Sequence, residues 1–216
     1  MIKISQVLEE IIKKDETVLE AIRLGILNIS AYAKSIHNLV EEKTKKEVKL
    51  GTIIVAISRL SKKIKKYPPL KLDVFVNDAI IKAPLAVISY EKNNQNLSQL
   101  SNFEKFSINE NDFFTATLGI EEITIVCTKK IAKKVKEEFK SKPKSLLNDL
   151  IGITIKFPEE YLEVPNVIYS YLSKLAVRRI NLIEVISTYS EITFIMNKKY
   201  LKSANAVLEE FLNKKD

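Results

Sequence analysis

Cysteine, histidine, glycine and tryptophan are scarce in this chain. Its 216 residues include one cysteine, one histidine, four glycines and no tryptophan. The single cysteine, Cys127, excludes an internal disulfide and a cysteine-rich zinc site, and the single histidine, His37, excludes a pair of histidine metal ligands. Four glycines and six prolines exclude collagen-like and low-complexity sequence. Catalysis that depends on histidine is disfavoured as well.

Long apolar runs are absent too. No run approaches the ~18 residues that a membrane-spanning helix needs. The N-terminus carries acidic residues where a signal peptide would have its apolar stretch. Apolar residues make up 46% and charged residues 29%, as in ordinary globular proteins. We therefore expect a cytoplasmic protein with no membrane partner.

Positive charge is concentrated near the N-terminus. The net charge is +8, and residues 1–70 carry 14 Lys and Arg against 8 Asp and Glu. Between residues 43 and 66, nine basic side chains accompany Glu47 as the one acidic side chain. Such an excess indicates either a solvated surface or a binding surface for a polyanion.

Helical periodicity dominates residues 4–66. Apolar residues recur at helical spacing in four segments: 5–14, 17–26, 28–40 and 52–66. Asp15, Asn28 or Ser30, and Thr52 are the predicted N-caps of the last three. Proline cannot continue a helix and restrains the residue before it, so Pro68 and Pro69 end the region. These observations predict a helical domain over residues 1–69.

From residue 70 onward the pattern changes to short β-branched runs that look duplicated. Residues 122–130 recur as residues 191–199, and both copies lead into a helical stretch ending Glu-Glu-Phe. Each copy predicts strand, helix, strand, strand, helix, with helices at 96–106, 131–141, 166–178 and 200–213. An internal repeat outweighs single-element assignments. We predict tandem βαββα units, about 70–141 and 146–216, within a domain spanning 70–216.

Neither predicted unit has the fourth strand of a ferredoxin-like βαββαβ fold. The open sheet edge that results must be covered or paired. Strands predicted at 72–76 and 79–82 supply one missing strand, or the two units pair edge to edge.

Ordered motifs over residues 164–212 support a family resemblance. They are Pro165 before a helix, Ile180-Asn181, Ile186-Ser187-Thr188, Ser190-Glu191-Ile192 and the closing Leu-Glu-Glu-Phe. The segment resembles the regulatory ACT domain at the C-terminus of aspartate kinases. That resemblance implies tandem ferredoxin-like units that bind a free amino acid. The Lys-Phe-Gly-Gly-Thr opening of the kinase domain has no counterpart here, so we expect no enzyme activity and no cofactor beyond an amino-acid effector.

The resemblance also implies a set of ligand-binding residues. Backbone N–H groups of Asn166, Val167 and Ile168 would hold the ligand carboxylate, as helix N-termini favour anions. Asn181 would close the far side through its amide, and Glu184 would meet the ligand ammonium. The alternative is that Val167 and Ile168 are core residues and Asn181 caps a turn.

The basic segment fits a DNA-binding helix-turn-helix. Residues 28–66 form a predicted helix, turn and basic helix with Gly51 near the turn, and the strands after Pro69 could form a wing. A small helical bundle gives the same pattern. The predicted outward-facing DNA-binding residues are Lys49, Thr52, Ser58, Arg59, Lys62, Lys63 and Lys66.

Residues suited to catalysis or metal binding are not grouped in the sequence. Cys127 lies within an apolar strand and is expected in the core, where cysteine behaves as a small hydrophobe. Adjacent glutamates, as in Glu121-Glu122, point in different directions and are expected at the surface. We therefore predict no catalytic and no metal site.

The prediction as a whole is an α+β chain with an N-terminal helical, winged helix-turn-helix-like domain and a tandem ACT-like domain. The leading function is a ligand-responsive, DNA-binding transcriptional regulator that senses an amino acid and forms a homodimer. The alternative is a non-enzymatic regulatory or protein-interaction ACT protein that does not bind DNA.

Overall fold

The computed structural model describes residues 3–106 and 108–212, including all side chains in those ranges except those of Phe103 and Lys105. The chain divides into two compact units, Met1–Leu72 and Asp73–Asp216. The helices of the first unit are α1 (Ile4–Lys13), α2 (Glu16–Leu24), α3 (Ile29–Ser35), α4 (His37–Thr44) and α5 (Leu50–Ile64).

Helix starts in the first unit follow the capping residues. The Asp15 carboxylate accepts the Val18 N–H at 3.0 Å, and the Asn28 side chain accepts the Ala31 N–H at 3.0 Å. Both predicted caps are confirmed. The predicted third helix is instead two helices, α3 and α4, separated at Ile36. The predicted cap Thr52 is wrong, because α5 already begins at Leu50.

The core of the first unit is aliphatic. The stripe predicted on α5 faces it, with Ile53, Ile57 and Ile64 buried and Ile54 and Leu60 half-buried. The other buried residues of this core are Val7, Leu8, Ile12, Val18, Ile22, Ala33, Ile36, Val40 and Val48.

His37 fixes the connection between α4 and α5. Its Nε2 lies 2.6 Å from the Val48 carbonyl oxygen, and because that oxygen can only accept, Nε2 carries the hydrogen. The Glu41 carboxylate accepts the Val48 N–H at 2.8 Å. Two side chains of α4 thus satisfy both backbone groups of Val48, so His37 has a structural role.

The second unit is one antiparallel sheet with helices. Its strands are β1 (Asp78–Glu91), β2 (Phe114–Leu118), β3 (Glu122–Thr128), β4 (Ser145–Lys156), β5 (Leu182–Ser187) and β6 (Glu191–Asn197). Its α-helices are α6 (Asn94–Ser101), α7 (Lys129–Glu138), α8 (Val167–Val177) and α9 (Leu201–Leu212). The strand order is β2-β3-β1-β4-β6-β5. The last predicted helical residue, Asn213, lies outside the described residues.

The register of the sheet confirms the duplication. Glu91 pairs with Glu122 in the first half, and Lys156 pairs with Glu191 in the second. The first strands therefore correspond at an offset of 65 residues and the hairpin strands at 69. Similarity in sequence alone matches residues 86–92 with residues 152–158, one residue away from this register. Residues 85–88 and 150–153 are all buried, so apolar and polar residues do not alternate there. The sequence pattern therefore does not fix which residue of β1 corresponds to which residue of β4.

Each long central strand supplies the fourth strand of the other half. Residues 78–82 of β1 pair with residues 152–156 of β4, and residues 145–147 of β4 pair with residues 87–89 of β1. Each half therefore has four strands in the ferredoxin-like order, and the prediction of a missing strand is corrected. Residues 79–82 pair with the edge of the second half, as the first alternative predicted. The two halves also pair edge to edge, as the second alternative predicted. Residues 72–76 form no strand.

Candidate functional site

A cavity of about 360 Å³ lies in the second half of the sheet unit. It is bounded by the end of β4, a 3-10 helix at Glu159–Glu163, the start of α8 and the end of β5. Its lining residues are Phe157, Tyr161, Leu162, Val164, Asn166, Val167, Ile168, Tyr169, Ser187 and Thr188.

The start of α8 supplies backbone donors at the cavity wall. Asn166 has φ 70°, in the left-handed region that asparagine tolerates, and its side chain makes no cap hydrogen bond. The first N–H bonded within the helix is that of Ser170, to the Asn166 carbonyl oxygen at 2.9 Å. Among the described residues, the N–H groups of Val167, Ile168 and Tyr169 have no acceptor. The positive end of a helix dipole adds to these donors and favours an anion.

The turn after β5 supplies hydroxyl groups. The Thr188 N–H donates to the Glu191 carbonyl oxygen at 2.9 Å, which fixes the turn. The Ser187 hydroxyl donates to the Thr188 carbonyl oxygen at 3.3 Å, a long contact that a ligand could replace. The Thr188 hydroxyl makes no hydrogen bond within the described part of the chain.

The rest of the cavity wall is apolar or aromatic. Tyr161 is held by an edge-to-face contact with Phe75, with ring centroids 5.5 Å apart. Among the described residues, none of those that line the cavity has a charged side chain. The site thus combines donors for one anionic group with an apolar surface.

Of the predicted ligand residues, Asn166, Val167 and Ile168 line this cavity, whereas Asn181 and Glu184 do not. Asn181 is exposed at the far end of β5, about 20 Å along the chain from Ser187 at ~3.3 Å per residue. These two residues lie away from the cavity because β5 begins near the end of α8 and runs back to the start of that helix. Burial raises the pKa of the Glu184 carboxyl group.

Ser187 and Thr188 line the cavity but are not among the residues predicted to bind the ligand. Both stood in the motif Ile186-Ser187-Thr188, which was used only to support the resemblance. The signal that could have found them is topological. A helix followed by an antiparallel strand brings the end of that strand back to the start of the helix.

The corresponding position in the first half of the sheet is partly filled by side chains of the chain itself. The Asn93 side chain caps α6 by accepting the Asn96 N–H at 2.9 Å. Lys92 corresponds to Phe157, because the Lys92 N–H donates to Glu121 as the Phe157 N–H donates to Ser190. The Lys92 ammonium donates to the Gly119 carbonyl oxygen at 2.8 Å and so links the positions that correspond to Phe157 and Thr188.

The predicted DNA-binding residues are all exposed on or beside α5. Ser58 and Lys62 line a hollow of about 250 Å³ with Gly25 and Lys65. Thr52 and Arg59 line a separate shallow surface. Lys49, Lys63 and Lys66 line neither, and the Lys63 ammonium lies 3.2 Å from the Glu9 carboxylate.

The predicted wing is wrong. Residues 3–72 contain no strand, and the strand that follows, β1, lies at the centre of the six-stranded sheet. The connection between α4 and α5 spans residues 45–49, so a helix-turn-helix assignment is not confirmed.

Catalytic groups are not assembled in the described part of the chain. Cys127 is fully buried, and burial raises its thiol pKa to about 12, so it has negligible thiolate at neutral pH. The described ranges hold no group of three His, Cys, Asp or Glu side chains placed to bind a metal ion.

Membrane-spanning length is also lacking: none of the helices described between residues 3 and 212 is both long and apolar enough to cross a bilayer.

Comparison with known proteins gives a fold. No family model matches the chain, and no curated protein matches it in sequence. The structure is similar to the ligand-free regulatory subunit of aspartate kinase from Thermus thermophilus, with a TM-score of 0.53, 12% identity, and 64% of this chain and 99% of that chain covered. The regulatory subunit from Thermus flavus gives a TM-score of 0.51, 14% identity, and coverage of 63% and 99%.

The sheet unit has the ACT-type regulatory fold. Its halves, β1 to α7 and β4 to α9, are called the first and second ACT units below. The resemblance inferred from residues 164–212 is thereby confirmed for the fold, at low sequence identity.

Proposed function

We propose that the chain is a non-enzymatic regulatory protein whose second ACT unit binds a free amino acid. The observation that supports this is the cavity at the start of α8, where three backbone N–H groups without acceptors meet an apolar wall. The ligand carboxylate accepts from Val167, Ile168 and Tyr169. The Ser187 and Thr188 hydroxyls accept from the ammonium group.

The lining favours an amino acid with an apolar side chain. Leu162, Val164 and Ile168 expose apolar surface that an apolar side chain of the ligand would cover, whereas a charged side chain would find no partner in the lining. Valine, leucine, isoleucine, methionine or phenylalanine are therefore the expected ligands.

Titration calorimetry with the twenty common amino acids tests the proposal. We expect binding of a subset with apolar side chains. Thr188→Val keeps the shape of the side chain but removes its hydroxyl, and should weaken binding about tenfold, the equivalent of one hydrogen bond to a charged group. Asn181→Ala is the matched control, with unchanged affinity. Absence of any binder would refute the proposal.

We further propose that α5 contacts duplex DNA, so that the protein is a ligand-responsive transcriptional regulator. The supporting observation is that Lys49, Arg59, Lys62 and Lys66 are exposed and form no ion pair among the described residues. Basic side chains of this kind would bind phosphates and release counterions.

Fluorescence anisotropy with a labelled duplex tests the role of α5. Replacing Arg59, Lys62 and Lys66 with glutamine should flatten the slope of log affinity against log salt by about 2 to 3. Lys63→Gln is the control, since Lys63 is already paired with Glu9. A wild-type protein with no salt-dependent affinity for duplex would exclude DNA binding.

A separate observation supports the alternative, a protein-interaction role without DNA. The first unit exposes several large apolar side chains, which a docked protein could cover. They are Leu24, Ile26, Leu39, Leu50 and Val55. Failure of the duplex titration, together with loss of a partner on Val55→Asp, would favour this alternative.

A homodimer remains part of the proposal. The edge strands β2 and β5 each pair on one side only, and a two-fold pair is the commonest closure. Sedimentation equilibrium should give twice the chain mass of 24.7 kDa.

A further inference from the structure

Helix α7 of the first ACT unit carries an unusual concentration of positive charge. Its ten residues include Lys129, Lys130, Lys133, Lys134 and Lys136. Four of these lysines are exposed and Lys134 is half-buried. The opposite side of the helix is anchored in the sheet by Ile131, Ala132 and Val135, all buried.

These lysines are not neutralised within the fold. None of the five has an ion pair among the described residues, although Glu137 lies on the same exposed side of the helix. Lys129 with Lys133, and Lys130 with Lys134, are like charges four residues apart, which destabilises a helix. Lys129 and Lys130 also lie in the first turn, where the helix dipole disfavours cations.

The duplicate helix carries fewer lysines, although Lys129 and Lys130 recur as Lys198 and Lys199 just before it. Phe139, after α7, corresponds to Phe211 of α9, and at that offset of 72 residues Lys133 and Lys134 correspond to Asn205 and Ala206. Both helices bury the matching apolar positions Val135 and Val207. The ACT-type packing therefore does not require Lys133 and Lys134.

We propose that the exposed face of α7 binds the phosphate backbone of a nucleic acid. Ten helical residues span about 15 Å, so the five lysines offer roughly one charge per 3 Å, against one phosphate charge per ~1.7 Å of duplex. The apolar side of α7 is buried in the sheet, so the helix cannot insert it into a lipid surface. Lysine binds phosphate as a point charge, so the contact is independent of base sequence.

Anisotropy titrations of the full chain against a labelled random-sequence duplex test this site. Replacing Lys129, Lys130 and Lys133 with glutamine keeps helix propensity and removes three charges. We expect the salt slope to fall by about 2 to 3 and the affinity at 100 mM salt to fall about tenfold or more. The matched control replaces Lys198, Lys199 and Lys202, which are exposed in the second unit, and should change the slope by less than ~1.

Several outcomes would overturn the inference. They are a wild-type protein that does not bind the duplex, equal losses in the α7 and control variants, and competition by poly-glutamate as strong as by unlabelled duplex. The last outcome would assign the surface to an acidic peptide. The α5 variant is titrated in parallel. If only the α5 variant loses binding, the α7 site is overturned and the proposed α5 role is retained. If only the α7 variant loses binding, the α7 site is supported and the proposed α5 role is overturned.

Discussion

The two ACT units share a scaffold and differ where a ligand would bind. Their hairpins share one register over residues 115–118 and 184–187, down to the matching turn bonds from Gly119 to Glu122 and from Thr188 to Glu191, and a register shift between Leu182 and Glu184 is confined to the second hairpin. In the first unit, the Asn93 side chain accepts the Asn96 N–H at the start of α6, and the Lys92 side chain reaches the turn at Gly119. In the second unit, the start of α8 is open to a cavity. Duplication has therefore preserved the packing and left one of two equivalent positions available.

Closing the cavity is the change with the largest expected effect. Ser187→Leu with Thr188→Gly introduces the residues of the first unit, Leu118 and Gly119, at the matching positions. The leucine side chain would enter the cavity, and both hydroxyls would be lost. We expect amino-acid affinity to fall by at least 100-fold, about 2.7 kcal/mol by the standard conversion. Calorimetry on the double variant measures it, and retained binding would place the ligand elsewhere.

Gly152 is a second point of difference, since Val87 occupies its position in the first unit. A Cβ at Gly152 would lie 2.7 Å from Leu85 Cδ1 and 3.0 Å from Ile195 Cδ1. Gly152→Val should therefore lower the free energy of unfolding by about 2 kcal/mol through overpacking. Gly51→Ala is the control, because a Cβ there meets nothing within 4 Å. Urea unfolding that shows equal stabilities for both variants would contradict this packing.

Buried tyrosines provide a matched pair of substitutions. Tyr90 stacks on Phe139, and its hydroxyl has no hydrogen-bond partner among the described residues. Tyr171 packs edge-on against Phe211 and donates to the Phe75 carbonyl oxygen at 2.9 Å. Tyr90→Phe should stabilise the protein by about 1 kcal/mol, and Tyr171→Phe should destabilise it by about the same amount. Melting temperatures that change in the same direction for both variants would contradict this prediction.

Glu184 should give the smallest effect. It pairs with Ile195 in the sheet, where the first unit has Thr115 beside Val126. Burial raises its folded-state pKa above the ordinary 4.5, so the folded state binds more protons and stability falls as pH rises through that range. Glu184→Gln should therefore stabilise the protein by up to ~0.5 kcal/mol at pH 7 and by nothing at pH 3. Melting curves at the two pH values measure this, and an equal shift at both would contradict the burial effect.

Much of the fold follows from local signals in the sequence. Asp15 and Asn28 cap helices because their side chains reach a backbone N–H three residues on, which needs no tertiary context. The repeated Glu-Ile-Thr strands and Glu-Glu-Phe endings revealed the duplication, because the same packing was required twice. Phe139 and Phe211 are both buried against a tyrosine.

Long-range pairing limits what the sequence predicts. Each half obtains its fourth strand because β1 and β4 extend beyond their own halves and pair with each other at both ends. No local sequence pattern encodes that pairing. The residues of β5 were assigned to the ligand from a resemblance that gave Asn181 and Glu184, whereas the chain direction brings Ser187 and Thr188 to α8. The wing failed for a similar reason, since a strand pattern after Pro69 does not say which sheet it joins.

Amide NMR of the full chain, titrated with the amino acid found by calorimetry, tests the central claim most directly. We predict one ligand per chain and large shifts for the N–H groups of Val167, Ile168 and Tyr169. Signals from residues 94–96 at the start of α6 should stay in place. Equal shifts at both helix starts, or two ligands per chain, would contradict the account that the second ACT unit alone binds the amino acid.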